Sequence, residues 1–105
     1  MKEMYYELIP RYTSRQSFYG KALVKEYYDD DKKIIDLISY TTKVASIEYI
    51  YTDKLDVKQI TYKYLGHYSS TTTSHQREFF LQHGLNEEQF KKLVKNDSLV
   101  IEINH

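Results

Sequence analysis

The chain has 105 residues and a mass of 12.7 kDa, the length of a single domain with one modest core. It contains no cysteine, which excludes a disulfide scaffold, a thiolate metal site and a cysteine nucleophile. Fifteen bases balance fifteen acids, so bulk charge points to neither polyanion binding nor nucleic-acid mimicry.

The opening Met1-Lys2-Glu3-Met4-Tyr5-Tyr6 has no apolar run of the secretory kind, and no later stretch has the length of a membrane span. The expected compartment is a bacterial cytoplasm, with no membrane partner. Tyr5 to Ile9 has the composition of a short strand, which Pro10 ends. Ser17 to Tyr28 alternates as a strand with apolar groups on both faces: Tyr19, Leu23 and Tyr27 on one, Phe18, Ala22 and Val24 on the other.

Asp29-Asp30-Asp31-Lys32 reads as a hairpin turn, and Lys33 to Thr41 resumes the strand pattern with Ile34, Ile35, Leu37, Ile38 and Tyr40. Strands from Val44 to Tyr51 and Val57 to Leu65 follow after short links. Consecutive strands so joined form an antiparallel meander.

The back half changes period. Ser69 to Ser74 is a run of hydroxyl residues, and Thr73 with Gln76 has capping-box spacing, predicting a helix over about 74–83. Gly84 occupies the position of a left-handed helix terminator, with Leu85 packing back on the last turn. Asn86 caps a second helix over 87–95, where Phe90, Leu93 and Val94 make the apolar stripe. A last strand spans 99–103. The fold class is therefore α+β: a meander of four to five antiparallel strands, covered on one face by a C-terminal helical hairpin, in two layers and one domain, 1–105.

No motif for catalysis emerges. His75 and His83 lie eight residues apart, about 12 Å along a helix, too far to share a metal ion. No G-x-S-x-G elbow and no glycine-rich phosphate loop occurs, since Gly20, Gly66 and Gly84 are isolated. We expect no enzyme, metal or cofactor.

Two features suit contact. Arg11 to Lys21 carries three cations (Arg11, Arg15, Lys21) and the aromatics Tyr12, Phe18 and Tyr19 with no acid, a pattern that fits phosphate contact and base stacking. Its bland reading is a loop feeding an edge strand, and the eight acids against four bases from Glu26 to Asp56 offset its charge. The twelve tyrosines exceed what one small core holds, so several rings belong on the outer sheet face. High β propensity alone also accounts for tyrosines whose hydroxyls reach water. The expected contact residues are Arg11, Tyr12, Arg15, Tyr19, Lys21, Tyr27, Tyr49, Tyr51, Tyr62 and Tyr64, and an aromatic outer face also fits a homodimer.

Three segments, Ser14-Arg15-Gln16-Ser17-Phe18-Tyr19-Gly20-Lys21-Ala22, Ser39-Tyr40-Thr41-Thr42-Lys43-Val44-Ala45 and Tyr68 through Phe79, resemble a family of small proteins encoded by phages, plasmids and integrative elements of Gram-positive bacteria. The resemblance spans residues 13–85. Relative to that family the chain carries Thr41 in place of Asn, and polar Thr73 and Gln76 in place of apolar residues. It implies no catalytic residues and a mobile-element origin. The function expected from it is stoichiometric binding that inhibits host machinery, a host protein or ribonucleoprotein complex, with anti-CRISPR action as one form. The alternative is a nucleic-acid-binding accessory protein using residues 11–21.

Overall fold

The computed structural model describes residues 2–103. Six strands form one sheet: β1 (Glu3–Glu7), β2 (Ala22–Asp29), β3 (Lys32–Ser39), β4 (Thr42–Tyr51), β5 (Val57–Tyr64) and β6 (Ser98–Glu102). Their spatial order is their chain order and every pairing is antiparallel. Two helices, α1 (Ser70–Gln82) and α2 (Glu87–Asn96), connect β5 to β6 and cover one face. The α+β meander under a helical hairpin is as expected, with six strands where four to five were predicted.

Turn chemistry sets the hairpins. Asp30 (φ 56°) and Tyr40 (φ 58°) take left-handed backbone in the two-residue links after β2 and β3. The segment from Ser17 to Lys21, read as the start of a strand, is instead a turn. Tyr19 (φ 53°) and Gly20 (φ 72°) both turn left-handed, and Lys21 N–H donates to the Phe18 carbonyl at 3.0 Å. Positive φ at both central residues is the type I′ geometry that suits a glycine.

The core lies between sheet and helices. Val24, Leu37, Ala45 and Ile47 rise from the sheet to meet Phe79, Phe80, Phe90 and Leu93. Tyr62 and Tyr64 share this face, and Tyr62 OH donates to the His83 carbonyl at 3.0 Å. Both were expected to offer contact, yet they are 2% and 3% exposed. The register decides this, since Tyr62 stands opposite Ile47 and Tyr64 opposite Ala45, on the helix side.

Helix α1 begins four residues earlier than predicted. Ser69, not Thr73, is its N-cap, and its side chain accepts from Thr72 N–H at 3.3 Å. Gln76 is no capping partner: it is buried, and its Nε2 donates to the carbonyls of Val44 and Gly66. The turn after α1 matches expectation. Leu85 N–H donates to the Phe80 carbonyl at 3.2 Å and Gly84 N–H to the Leu81 carbonyl at 3.4 Å, with Gly84 at φ 97°. These are the paired bonds of a Schellman motif. Asn86 then caps α2, exchanging bonds with Gln89 in a capping box.

Candidate functional site: a clamped strap over helix 1

One face of α1 carries polar residues at helical spacing: His75, Glu78 and Gln82, at i, i+3 and i+7. All three meet the segment that links β1 to β2. Gln82 Nε2 donates to the Ile9 carbonyl at 2.7 Å. The Glu78 carboxylate, 1% exposed, accepts the backbone N–H groups of Arg11 and Tyr12, each at 2.9 Å, and Gln82 Nε2 at 2.6 Å. The His75 ring, also 1% exposed, meets buried Phe18 edge-on with centroids 4.5 Å apart. Residues 9–21 thus form a strap whose first ten residues run along α1, so the helix is covered by the sheet on one side and by this strap on another.

The far end of the strap is held as well. Gly20 N–H donates to Glu7 Oε1 at 2.8 Å, and the Lys21 carbonyl accepts Tyr40 N–H at 2.7 Å. Beneath it, Ser39 Oγ sits 2.8 Å from His75 Nδ1 and 3.0 Å from Thr72 Oγ1. Burial, with the Arg15 guanidinium adding to it, pushes the His75 imidazole below its ordinary range. A neutral ring suits a residue enclosed between Phe18 and Ser39. A serine–histidine pair this deeply enclosed is a structural network; Ser39 is 3% exposed.

The strap's side chains behave differently from its backbone. Arg11, Tyr12, Arg15, Tyr19 and Lys21 are all exposed, Tyr19 at 81%. Tyr40 adds a further exposed ring, and Lys21 Nζ lies 5.8 Å from its centroid. The α1 N-terminus, with no acid in its first turn, opens close by. Five of the sequence-derived contact residues are therefore exposed on one segment whose backbone is held in place.

The remaining candidates are elsewhere. Tyr27 stands on the outer sheet face, where Lys25 Nζ is 4.9 Å from its ring and its hydroxyl donates to Asp36 at 3.2 Å. That face carries Tyr5 and Tyr27 among polar residues and the aliphatic Leu23, Ile34 and Ile38 rather than a field of rings. Asp36 also accepts Ser46 Oγ at 2.7 Å and Lys43 lies at 3.8 Å, so neighbouring strands shield it to 4% exposure. The expectation of an aromatic outer face is corrected by parity: Tyr49, Tyr62 and Tyr64 all project to the helix side.

Tyr49 and Tyr51 line a second feature, where the helix-side face runs out beyond the C-terminus of α1. With Glu26, Lys33, Ile35, Val57 and His83 they enclose a cleft of about 260 Å³. Burial pushes the Glu26 carboxyl up, but hydrogen bonds from Tyr6 and from Lys33, at 3.0 Å, outweigh it and hold the group below its ordinary range. Burial raises the phenol of Tyr49. Burial likewise lowers His83, whose Nδ1 lies 2.8 Å from the Phe79 carbonyl. A proton on Nδ1 satisfies that carbonyl, an interaction that by itself favours the charged ring and that burial outweighs.

Sequence reasoning named the exposed half of the strap and missed the half that holds it. His75, Glu78 and Gln82 were legible only as a polar stripe at helical spacing on a helix with Phe79 and Phe80. Among the described residues, no cluster of histidine, aspartate and glutamate could hold a metal ion, and no helix is long and apolar enough to cross a membrane.

The chain belongs to a family of unknown function, DUF8033, whose profile matches residues 6–96. That match takes in the strap, strands β2 to β5 and the two helices. No curated protein and no solved structure gives a significant match to the chain.

Proposed function

We propose that the protein works by stoichiometric contact, with the strap as its binding face, and that it performs no reaction of its own. The observation that carries this reading is the contrast within residues 11–21. Their backbone is clamped by Glu78 at one end and by Glu7 and Tyr40 at the other, while Arg11, Tyr12, Arg15, Tyr19 and Lys21 face outward. Fixing the backbone before binding removes part of the ordering cost of association. Tyrosine and arginine are the residues that most often dominate binding energy at protein interfaces.

The partner we assign is a host protein or ribonucleoprotein complex in the bacterial cytoplasm. Inhibition of host defence, anti-CRISPR action included, is the form of activity that the likeness to mobile-element proteins supports. A second reading, direct nucleic-acid binding, is favoured by one feature: Arg15 and Lys21 lie with Tyr19 and Tyr40 near an α1 N-terminus free of acids. Arg15→Ala with Tyr19→Ala separates the two. The contact reading expects the variant to lose a protein captured by the wild-type chain from nuclease-treated bacterial lysate. If the wild-type chain instead retains oligonucleotides in a salt-dependent way that the variant abolishes, and captures no protein, the nucleic-acid reading replaces it.

A further inference from the structure

The sheet has two edges, and they differ in how they would meet another strand. In an antiparallel ladder, backbone groups of successive residues point alternately toward and away from the neighbour. Tyr64 N–H donates to the Asp97 carbonyl at 2.9 Å and Ile103 N–H to the Lys58 carbonyl at 3.0 Å. With Leu99 opposite Tyr62 and Ile101 opposite Ile60, the residues facing β5 are Asp97, Leu99, Ile101 and Ile103. The N–H and C=O groups of Ser98, Val100 and Glu102 therefore point out of the sheet, unpaired among the described residues.

At the opposite edge, Leu8 N–H donates to the Ala22 carbonyl at 2.9 Å, so Glu3, Tyr5 and Glu7 face outward from β1. Pairing β1 with a copy of itself in full overlap sets Glu3 against Glu7 twice, and like charges directly opposite destabilise a sheet. Strand β6 carries no such guard. Full overlap about Val100 sets Val100 against Val100 and Ser98 against Glu102, while Leu99 meets Ile101 on the helix side. Leu99 and Ile101 already pack against the core from the edge, and Val100 is 50% exposed.

The symmetry agrees with the charges above the seam. A two-fold axis normal to the sheet sets the two copies of α2 antiparallel. Acidic Glu87 and Glu88 open α2, and Lys95 stands in its last turn. Each acidic start then runs toward the basic end of the other copy.

We propose that β6 is the seam of a homodimer, in which it pairs antiparallel with β6 of a second copy and joins two six-stranded sheets into one. A five-residue seam is small beside the roughly 1,200–2,000 Å² of a stable interface, so the dimer is weak and concentration-dependent. Sedimentation of the full chain tests it. The wild type is expected to shift from monomer toward dimer between about 10 µM and 1 mM, the range of such affinities. Val100→Lys, which places like charges opposite each other at the seam, weakens that association by about tenfold. Ser98→Lys, facing Glu102 of the second copy, strengthens it. Both substitutions sit on exposed side chains outside the core, and Val100→Pro removes an outward N–H that has no partner among the described residues. A wild type that stays monomeric throughout, or a dimer unchanged by Val100→Lys and Val100→Pro, overturns the proposal. Arg15→Ala with Tyr19→Ala lies in the strap and leaves association unchanged, so failure here is distinct from failure of the strap reading.

Discussion

The strap side of α1 and the space beyond its C-terminus solve the same problem in opposite ways. Under the strap, from Thr72 to Glu78, the helix buries polar side chains (Thr72, His75, Gln76 and Glu78) and gives nearly all of them partners, which fixes the strap and leaves cations and rings outside. At its C-terminal end the charges of Glu26 and Lys33 neutralise each other beside His83, and what remains open is a small aromatic cleft. A satisfied buried polar network makes geometry rigid, because each unpaired group would incur a large desolvation cost. The comparison teaches that rigidity here belongs to the strap, and that the cleft is the more forgiving place.

Breaking the clamp should have the largest effect. Glu78→Leu leaves two strap N–H groups without their acceptor and the Gln82 amide with the Ile9 carbonyl alone, for a loss of about 3 kcal/mol. Urea unfolding measures the loss, and proteolysis within residues 11–21 reports release of the strap. Lys33→Ala in the cleft is the matched control. Its partner Glu26 keeps the Tyr6 hydroxyl and remains near solvent, so the expected cost stays under about 1 kcal/mol.

Acid sharpens the comparison, since both regions carry a histidine held below its ordinary range chiefly by burial. The unfolded chain binds protons at these sites first, near pH 6.5. Stability from both rings is therefore complete above that pH and declines as pH falls from there through the lower folded values. His75→Phe should flatten the dependence in part, and His75→Phe with His83→Phe should flatten it further, as read from thermal unfolding between pH 7.5 and 5. A variant pair with the wild-type slope would show that neither ring is held neutral.

A small effect is also expected at the strap's tip. An added Cβ at Gly20 meets nothing within 4 Å, so Gly20→Ala costs only the left-handed backbone of φ 72°, about 1 kcal/mol. Denaturation midpoints would register it, and binding would survive if the tip returns to its turn.

Much of this architecture was legible. Gly84 and Asn86 announce the break and restart of the helical hairpin through local backbone chemistry, which sequence records directly. Strands around Ile34, Ile47 and Ile60 follow from β-rich composition and short links. Three things were hidden, each for a non-local reason. The start of α1 was misplaced because Ser69 to Ser74 offers several equivalent caps, and tertiary bonds of Thr72 and Gln76 choose among them. The positions of Tyr62 and Tyr64 depend on register against Ala45 and Ile47, which alternation alone leaves open when both faces carry rings. The clamp was missed because Glu78 bonds to residues 66 and 67 positions away in sequence. The exposed strap residues were found by composition, and the buried ones that aim them were not.

The most direct test of contact through the strap is a comparative capture from nuclease-treated bacterial lysate with three baits: the wild-type chain, Arg15→Ala with Tyr19→Ala, and Tyr49→Ala in the cleft. A protein held by the wild type and by Tyr49→Ala, but lost with the strap variant, is the result predicted. Retention by the strap variant together with loss by Tyr49→Ala would place binding in the cleft and contradict the account.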